Sequence, residues 1–287
     1  MSTVLQLILN GLMAGSMLAL PAIALTTIFV IRRYMNFALA GHMALGAYAG
    51  YVVNVQLGLS TFVAFLVAFI VAGLAGVATD HIVLRPLARL GALTISVGSI
   101  ALNLFLENLV RFIFGNGPHS YDVPLLRDWH FGMLRVGPQQ VTDLIIAAVV
   151  MAGLFFFLLV FPTGKAMRAV GDNPNLADIK GIDPERMGRY ANFVAMGLAG
   201  VGGMLFGLET TLDPEMGTRI MLSVFAGAVL GGLGSIPGAV IGSLLIGVAE
   251  ELSLLALPPT YRSVIGFIAI VVVLTFRPQG LLGQKQG

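Results

Sequence analysis

The sequence predicts an all-α polytopic membrane protein with about eight or nine transmembrane or re-entrant helices. Three observations carry that reading. Of the 287 residues, 57% are hydrophobic and 10% are charged, where an ordinary soluble protein carries roughly 25% charge. The mean hydropathy is +0.93. Several uncharged runs reach the ~20 residues that cross a bilayer as a helix. A soluble globule of this length could not cover its surface with so few charges, which excludes an ordinary cytosolic enzyme and a disordered chain. The pI near 9.1 reflects a net charge of only +2, so no nucleic-acid partner is expected. The chain has no cysteine, hence no disulfide, thiolate metal site or cysteine nucleophile.

The whole chain, 1–287, reads as one transmembrane domain. Val4–Ile31 runs 28 residues without a charge and contains Pro21, so tilt or a kink is expected. It lacks a basic leader and is too long for a secretory signal, so it reads as a retained helix. Met35–Val55 has His42 as its only ionisable group, and Ser60–Thr79 has none. Ala92–Phe114 carries Glu107 and Arg111, Leu144–Phe161 is apolar throughout, and Tyr190–Leu212 holds Glu209 near its end. Ile220–Leu255 is interrupted by the glycine-rich run 231–238, which reads as two short or broken helices. Tyr261–Phe276 is short, with Arg262 placed to snorkel. The 36 glycines predict close helix packing.

Lys and Arg set the orientation. With the N-terminus outside, eleven of the sixteen fall on the inner side, so the positive-inside rule favours N-out and C-in. The tail 277–287 is then cytoplasmic. The external loop 115–140 carries Trp129, Tyr121, His119 and His130, an aromatic set suited to an interfacial lid or to docking an external partner. The cytoplasmic loop 162–189 is long for a simple connection. Asn173 caps a helix whose first residue is Pro174. Leu176, Ala177 and Ile179 give it a small apolar face, and Gly181, followed by Ile182, stops it. Asp183-Pro184 then opens the next helix. A helix of two turns is marginal alone in water, so a lipid surface or a cytoplasmic protein should cover it.

Polar residues inside the spans are candidates for a translocation path. Ser96, Ser99, Asn103, Glu107 and Arg111 recur at steps of three and four along one helix face, and a buried charge there is costly to leave unpaired. Glu107 and Arg111 are spaced to pair. His42 lies on a line with Gly46 and Gly50, which fits a close helix contact or a proton relay. Glu209, Glu250 and Glu251 read as solvated span ends. Gly234 and Ser235 sit in the break, either a tight turn or exposed backbone along a solute path. No Walker motif, zinc-ligand spacing or nucleophile motif occurs, so transport is the expected role rather than catalysis.

The opening GLMAGSMLALPAIALTTIFVIRRYMNFALAGHMALGAY resembles the start of Liv-type ABC importer permeases, which carry branched-chain amino acids. The resemblance rests on Gly11, Gly15, Ser16, Ala19, Leu20, Asn36, Phe37, Ala38, Gly46, Ala47 and Tyr48. Ala177, Gly181, Ile182 and Arg186 are similar to the family's coupling segment, and GGLGSIPGAVIGSLLIGVAEE and RPQGLLG are similar to its C-terminal signature. Pro21 and the Arg32-Arg33 pair depart from the usual pattern. The chain looks most like the LivH-type subunit. The resemblance implies the permease fold and a bacterial inner-membrane location. It also implies a second, LivM-like permease, two cytoplasmic ABC ATPases that hold ATP and Mg while this chain holds no cofactor, and an external solute-binding protein. It implies alternating access driven through the Asn173–Lys180 helix. The alternative is a stand-alone secondary transporter, which needs a mid-membrane carboxylate; Glu107 is the candidate.

Overall fold

The computed structural model describes residues 2–123, 127–131, 134–277 and 279–283. Among them, α1 spans Ser2–Arg32, α2 Leu39–Tyr51, α3 Thr61–Thr79, α4 Arg85–Ala88 and α5 Ala92–Phe114. A hairpin follows, with β1 at Trp129–Phe131 antiparallel to β2 at Leu134–Val136. Then come α6 (Pro138–Val160), α7 (Pro162–Asp172), α8 (Pro174–Ile179), α9 (Pro184–Glu209), α10 (Met216–Gly231), α11 (Ile236–Ser253) and α12 (Arg262–Phe276). Two π-helical turns, Val52–Gln56 and Asp80–Leu84, extend α2 and α3. Seven of the described helical runs are long and apolar enough to cross a membrane, and α10 is a shorter apolar helix.

Proline sets many of the boundaries. Pro138, Pro162, Pro174 and Pro184 each open a helix at its first position. There the missing N–H costs nothing, and the residue before proline is pushed to extended backbone. Phe161, Asn173 and Asp183 are all extended. This is why the apolar run ending at Phe161 stops there, and why the loop 162–189 is mostly helical. Pro21 behaves differently. It lies inside an unbroken α1, with its ring so close to Gly202 that a Cβ there would come within 2.8 Å of Pro21 Cδ.

Helices α1 and α9 form the centre, with 78% of their apolar stretches buried, while α6 and α12 form the rim at 22% and 11%. The rim exposes Val149, Phe156, Phe267 and Phe276, a surface that only lipid covers cheaply. Around the centre the helices meet backbone to backbone. Gly11 and Gly15 of α1 lie against α11, where a Cβ at Gly15 would fall 2.7 Å from Leu244 Cα. Gly46 of α2 lies on Gly200 of α9, and Gly203 lies on the Met43 backbone. Gly231 and Gly238 hold α10 and α11 together across their turn. Lipid tails are as apolar as leucine, so such contacts are held by dispersion between closely fitted surfaces rather than by release of water.

The segment expected as one helix over 35–55 begins only at Leu39. Residues 34–38 are irregular, and Arg33 sits at φ 59°. The buried Asn36 explains the bend: its Oδ1 accepts from Ala38 N–H at 3.1 Å, and Phe37 N–H donates to Ser99 Oγ at 2.9 Å. Side chains thus take over the hydrogen bonding that a continuous helix would supply.

At one end of the bundle, Arg32 bridges Asp80 at 2.8 Å and Glu185 at 3.4 Å, Arg85 reaches Glu185 at 3.2 Å, and Arg33 donates to Gly171 O at 2.6 Å. This ties the ends of α1 and α3 to the starts of α4 and α9. Arg32 is thus the hub. The tail docks at the same end. Leu281 N–H donates to Leu230 O at 2.8 Å and Leu282 N–H to Gly231 O at 3.0 Å, satisfying carbonyls that the end of α10 leaves open. Gly280 packs on Gly232, and both have positive φ. Lys285 of the tail lies outside the described residues. At the opposite end, His119 and Leu212 exchange backbone hydrogen bonds, Tyr121 Oη donates to Ala47 O at 2.7 Å, and the Tyr51 and His119 rings lie 5.0 Å apart. The first part of the external loop therefore caps the bundle, while Trp129 stays half exposed.

Two outcomes are expected. Gly46→Leu should destabilise the fold by at least about 3 kcal/mol, since overpacking here meets backbone that cannot yield; thermal unfolding in detergent reads it. Arg32→Gln should cost about 3–5 kcal/mol because it strands buried Asp80. Adding Asp80→Asn should recover most of that loss in a double-mutant cycle.

Candidate functional site

The polar face of α5 turns inward. Ser99, Asn103 and Glu107 are buried, and Ser96 is half-buried with its hydroxyl on Ala92 O at 2.9 Å. Asn103 Nδ2 donates to Glu107 Oε1 at 2.9 Å and to Thr218 Oγ1 at 3.0 Å, and the Thr218 hydroxyl donates to Glu107. A three-residue network thus joins α5 to α10. The expected Glu107–Arg111 pair does not form. Arg111 leaves the helix axis for Glu215 at 2.5 Å, because Glu107 points into the bundle while Arg111 sits at its rim. Asn103 Oδ1 has no partner within the described residues.

His42 is fully buried in α2. Its Nδ1 lies 2.7 Å from Ala38 O and its Nε2 3.1 Å from Thr79 Oγ1. The Thr79 hydroxyl also donates to Ala75 O at 2.9 Å, so the ring sits in a polar contact between α2 and α3. Asn36 lies at the bend before α2, with Nδ2 without a partner among the described residues. Gly234 and Ser235 sit away from this group, in the turn between α10 and α11. Ser235 Oγ accepts from Gly238 N–H at 3.1 Å, capping α11, and Gly232 takes φ 105°. The glycine-rich break is a tight turn, and its backbone groups are bonded locally and to the tail.

The segment after α6 has the predicted cap and stop. Asn173 Oδ1 accepts from Leu176 N–H at 3.0 Å. Gly181 takes φ 83° and its N–H reaches Asp178 O at 2.8 Å, while Ile182 N–H reaches Ala177 O at 2.9 Å, closing the helix end. Ala177 faces inward, and Leu176 and Ile179 are 53% and 81% exposed. Asp183 accepts from the N–H groups of Glu185 and Arg186. The Arg186 N–H leads in holding this carboxyl below its usual range, with the Glu185 N–H and the nearby guanidinium charges adding to it. The amphipathic α7 was not foreseen, though Gly164, Met167, Val170 and Gly171 bury one face at helical spacing.

Several buried acids escape a reading of spans as uniform tubes. Asp143 lies inside α6, which starts six residues before the expected Leu144. It is fully buried, with Oδ1 accepting from Gln139 Nε2 at 2.9 Å and Oδ2 without a partner among the described residues. Glu250 and Glu251, expected at a solvated end, are buried and share Arg262 at 3.5 and 2.5 Å. Ser223 Oγ also donates to Glu250 at 2.5 Å. Glu250 and Arg262 line a cavity of about 230 Å³ with Met17, Phe206, Glu209 and Arg219. The spacing of Glu250 twelve residues before Arg262 was the available signal, hidden because a bend brings α12 back onto α11.

Comparison with known proteins places this arrangement in a family. The model described as "Branched-chain amino acid transport system / permease component" matches residues 7–274. The high-affinity branched-chain amino acid permease protein LivH of Salmonella typhimurium is 29% identical over 98% of this chain and 96% of its own length. BraD of Pseudomonas aeruginosa, with the same description, matches to the same extent. The permease protein LivM of Escherichia coli is 27% identical over 84% of this chain and 62% of its own. The match runs from the glycines that join α1 to α11 through to the rim helix α12, and the chain belongs to the permease components of branched-chain amino acid ABC transport systems.

Proposed function

We propose that this chain is the LivH-like half of a heteromeric importer for branched-chain or other hydrophobic or neutral amino acids, or related small organic solutes. A LivM-like permease completes the path, an external solute-binding protein delivers the solute, and two cytoplasmic ATPases, holding ATP and Mg, drive it. In this reading the N-terminus is outside. A path shared with a second permease fits the way this chain spends Ser99, Asn103, Glu107 and His42 on its own helix contacts. Few free ionisable groups remain to favour a highly charged solute.

The observation that carries the reading is α8. It is six residues long, capped by Asn173, stopped at Gly181, and presents Leu176 and Ile179 outward. Two turns of helix do not hold themselves together in water, and exposed apolar side chains on a loop mark a contact surface. Residues Asp183 and Glu185 link its far end to the Arg32–Asp80 network, so a push on α8 reaches α1, α3 and α9 together. In the proposed cycle, nucleotide-bound ATPases grip α8 differently from nucleotide-free ones, and that difference tilts the two permeases between outward and inward openings.

The test uses the tagged complex. Leu176→Asp with Ile179→Asp changes only exposed positions, so the melting temperature should hold. ATPase co-purification and ATP-driven uptake should fall at least tenfold, and Gly181→Val, which strains a positive φ, should also uncouple. Unchanged docking and uptake in the Asp pair would remove α8 from the mechanism.

A further inference from the structure

Helix α7 and the lower end of α6 border, with the turn before α11, an open cavity of about 670 Å³. Its walls divide by chemistry. Phe155, Leu158 and Leu159 supply one side, on the helix face that runs up into the membrane, and Leu159 is more than half exposed. Lys165 and Arg168 supply the other side. They stand three residues apart on α7, so they share a face. Neither makes an ion pair or a side-chain hydrogen bond among the described residues, in a chain where Arg32, Arg85, Arg111, Arg219 and Arg262 are all paired. Asp172 also lines the cavity and leaves a net charge of one positive unit from these three side chains. The opposite face of α7 is buried against the bundle, which fixes the two cations at the level where the lipid-facing wall of α6 ends.

We propose that this cavity binds an anionic phospholipid. Its phosphodiester sits against Lys165 and Arg168, and an acyl chain lies along Leu159 and Phe155. Each half of the ligand has a matching wall: apolar surface for the chain, and two uncommitted cations at the membrane edge for the phosphate. A free phosphate would use only the cations and leave the apolar wall bare. A zwitterionic lipid would bring an ammonium group toward a site already positive. The site is separate from the outward face of α8 and does not depend on the ATPases.

The complex purified through a tag on this chain, in uncharged detergent and stripped of lipid, is titrated in native mass spectrometry. The probes are phosphatidylglycerol, phosphatidylcholine and inorganic phosphate. Phosphatidylglycerol should bind in preference to the other two. K165Q/R168Q should weaken it about 30-fold, and K165Q or R168Q alone about fivefold, since each basic residue near an anionic lipid surface contributes roughly one tenfold-scale step or less. The single variants keep the test open if the double one fails to fold. R89Q/R135Q, which removes the same charge elsewhere, should leave binding unchanged. Equal loss in that control, undiminished binding in K165Q/R168Q, equal binding of phosphatidylcholine, or displacement by inorganic phosphate would each overturn the proposal.

Discussion

Close contact between helix backbones at glycine is the constraint on which the rest depends. In a bilayer no water is released when two apolar helices meet, so stability must come from fit. Gly11 and Gly15 let α1 lie on α11, Gly46 and Gly203 seat α2 on α9, and Gly227, Gly231 and Gly238 clamp the α10–α11 hairpin. These contacts gather α1, α2, α9, α10 and α11 into one tightly packed block. Helices α6 and α12 are laid on its outside, with most of their surface left to lipid. A Cβ at these contacts meets main chain first, except at Gly227, where the Ser243 side chain is nearest, so the block has little room to deform.

Polar residues follow from that packing. Once backbones touch, side chains between them have few places to go, and each buried polar group must find a partner nearby. Asn103, Glu107 and Thr218 bond one another between α5 and α10, with Asn103 Oδ1 left without a partner among the described residues. His42 bridges α2 and α3 through Thr79, and Arg262 serves two buried glutamates. At the other end, Arg32 holds the outlets of α1, α3 and α9 in a single ionic knot. The fold therefore presents a stiff centre, with α8 a thin, outward-facing helix at the ionic end.

Much of this was legible in the residues. Uncharged runs gave the helices because lipid forbids unsatisfied backbone, and the starts of α8 and α9 were readable because Asn173-Pro174 and Asp183-Pro184 combine a capping side chain with a fixed φ. The glycine spacing gave the close contacts without naming the partners. What stayed hidden depends on tertiary arrangement. Glu107 and Arg111 have the spacing of a pair, yet one faces the core and the other finds Glu215. Glu250 looked terminal until the bend before α12 covered it. Asp143 was lost because an apolar run was taken to begin where charge ends, whereas Pro138 starts the helix earlier. The stretch 35–38 looked helical by composition, and Asn36 breaks it through hydrogen bonds that composition does not reveal.

The central claim is that this block is a passive gate moved by partners. The most direct measurement is uptake of labelled leucine into proteoliposomes holding either this chain alone or the chain with its second permease, ATPases and binding protein. The account predicts ATP-dependent uptake by the full assembly and none by the chain alone under an imposed proton or sodium gradient. Gradient-driven uptake by the single chain would contradict it and make the buried carboxylates, Asp143 first among them, the coupling groups instead.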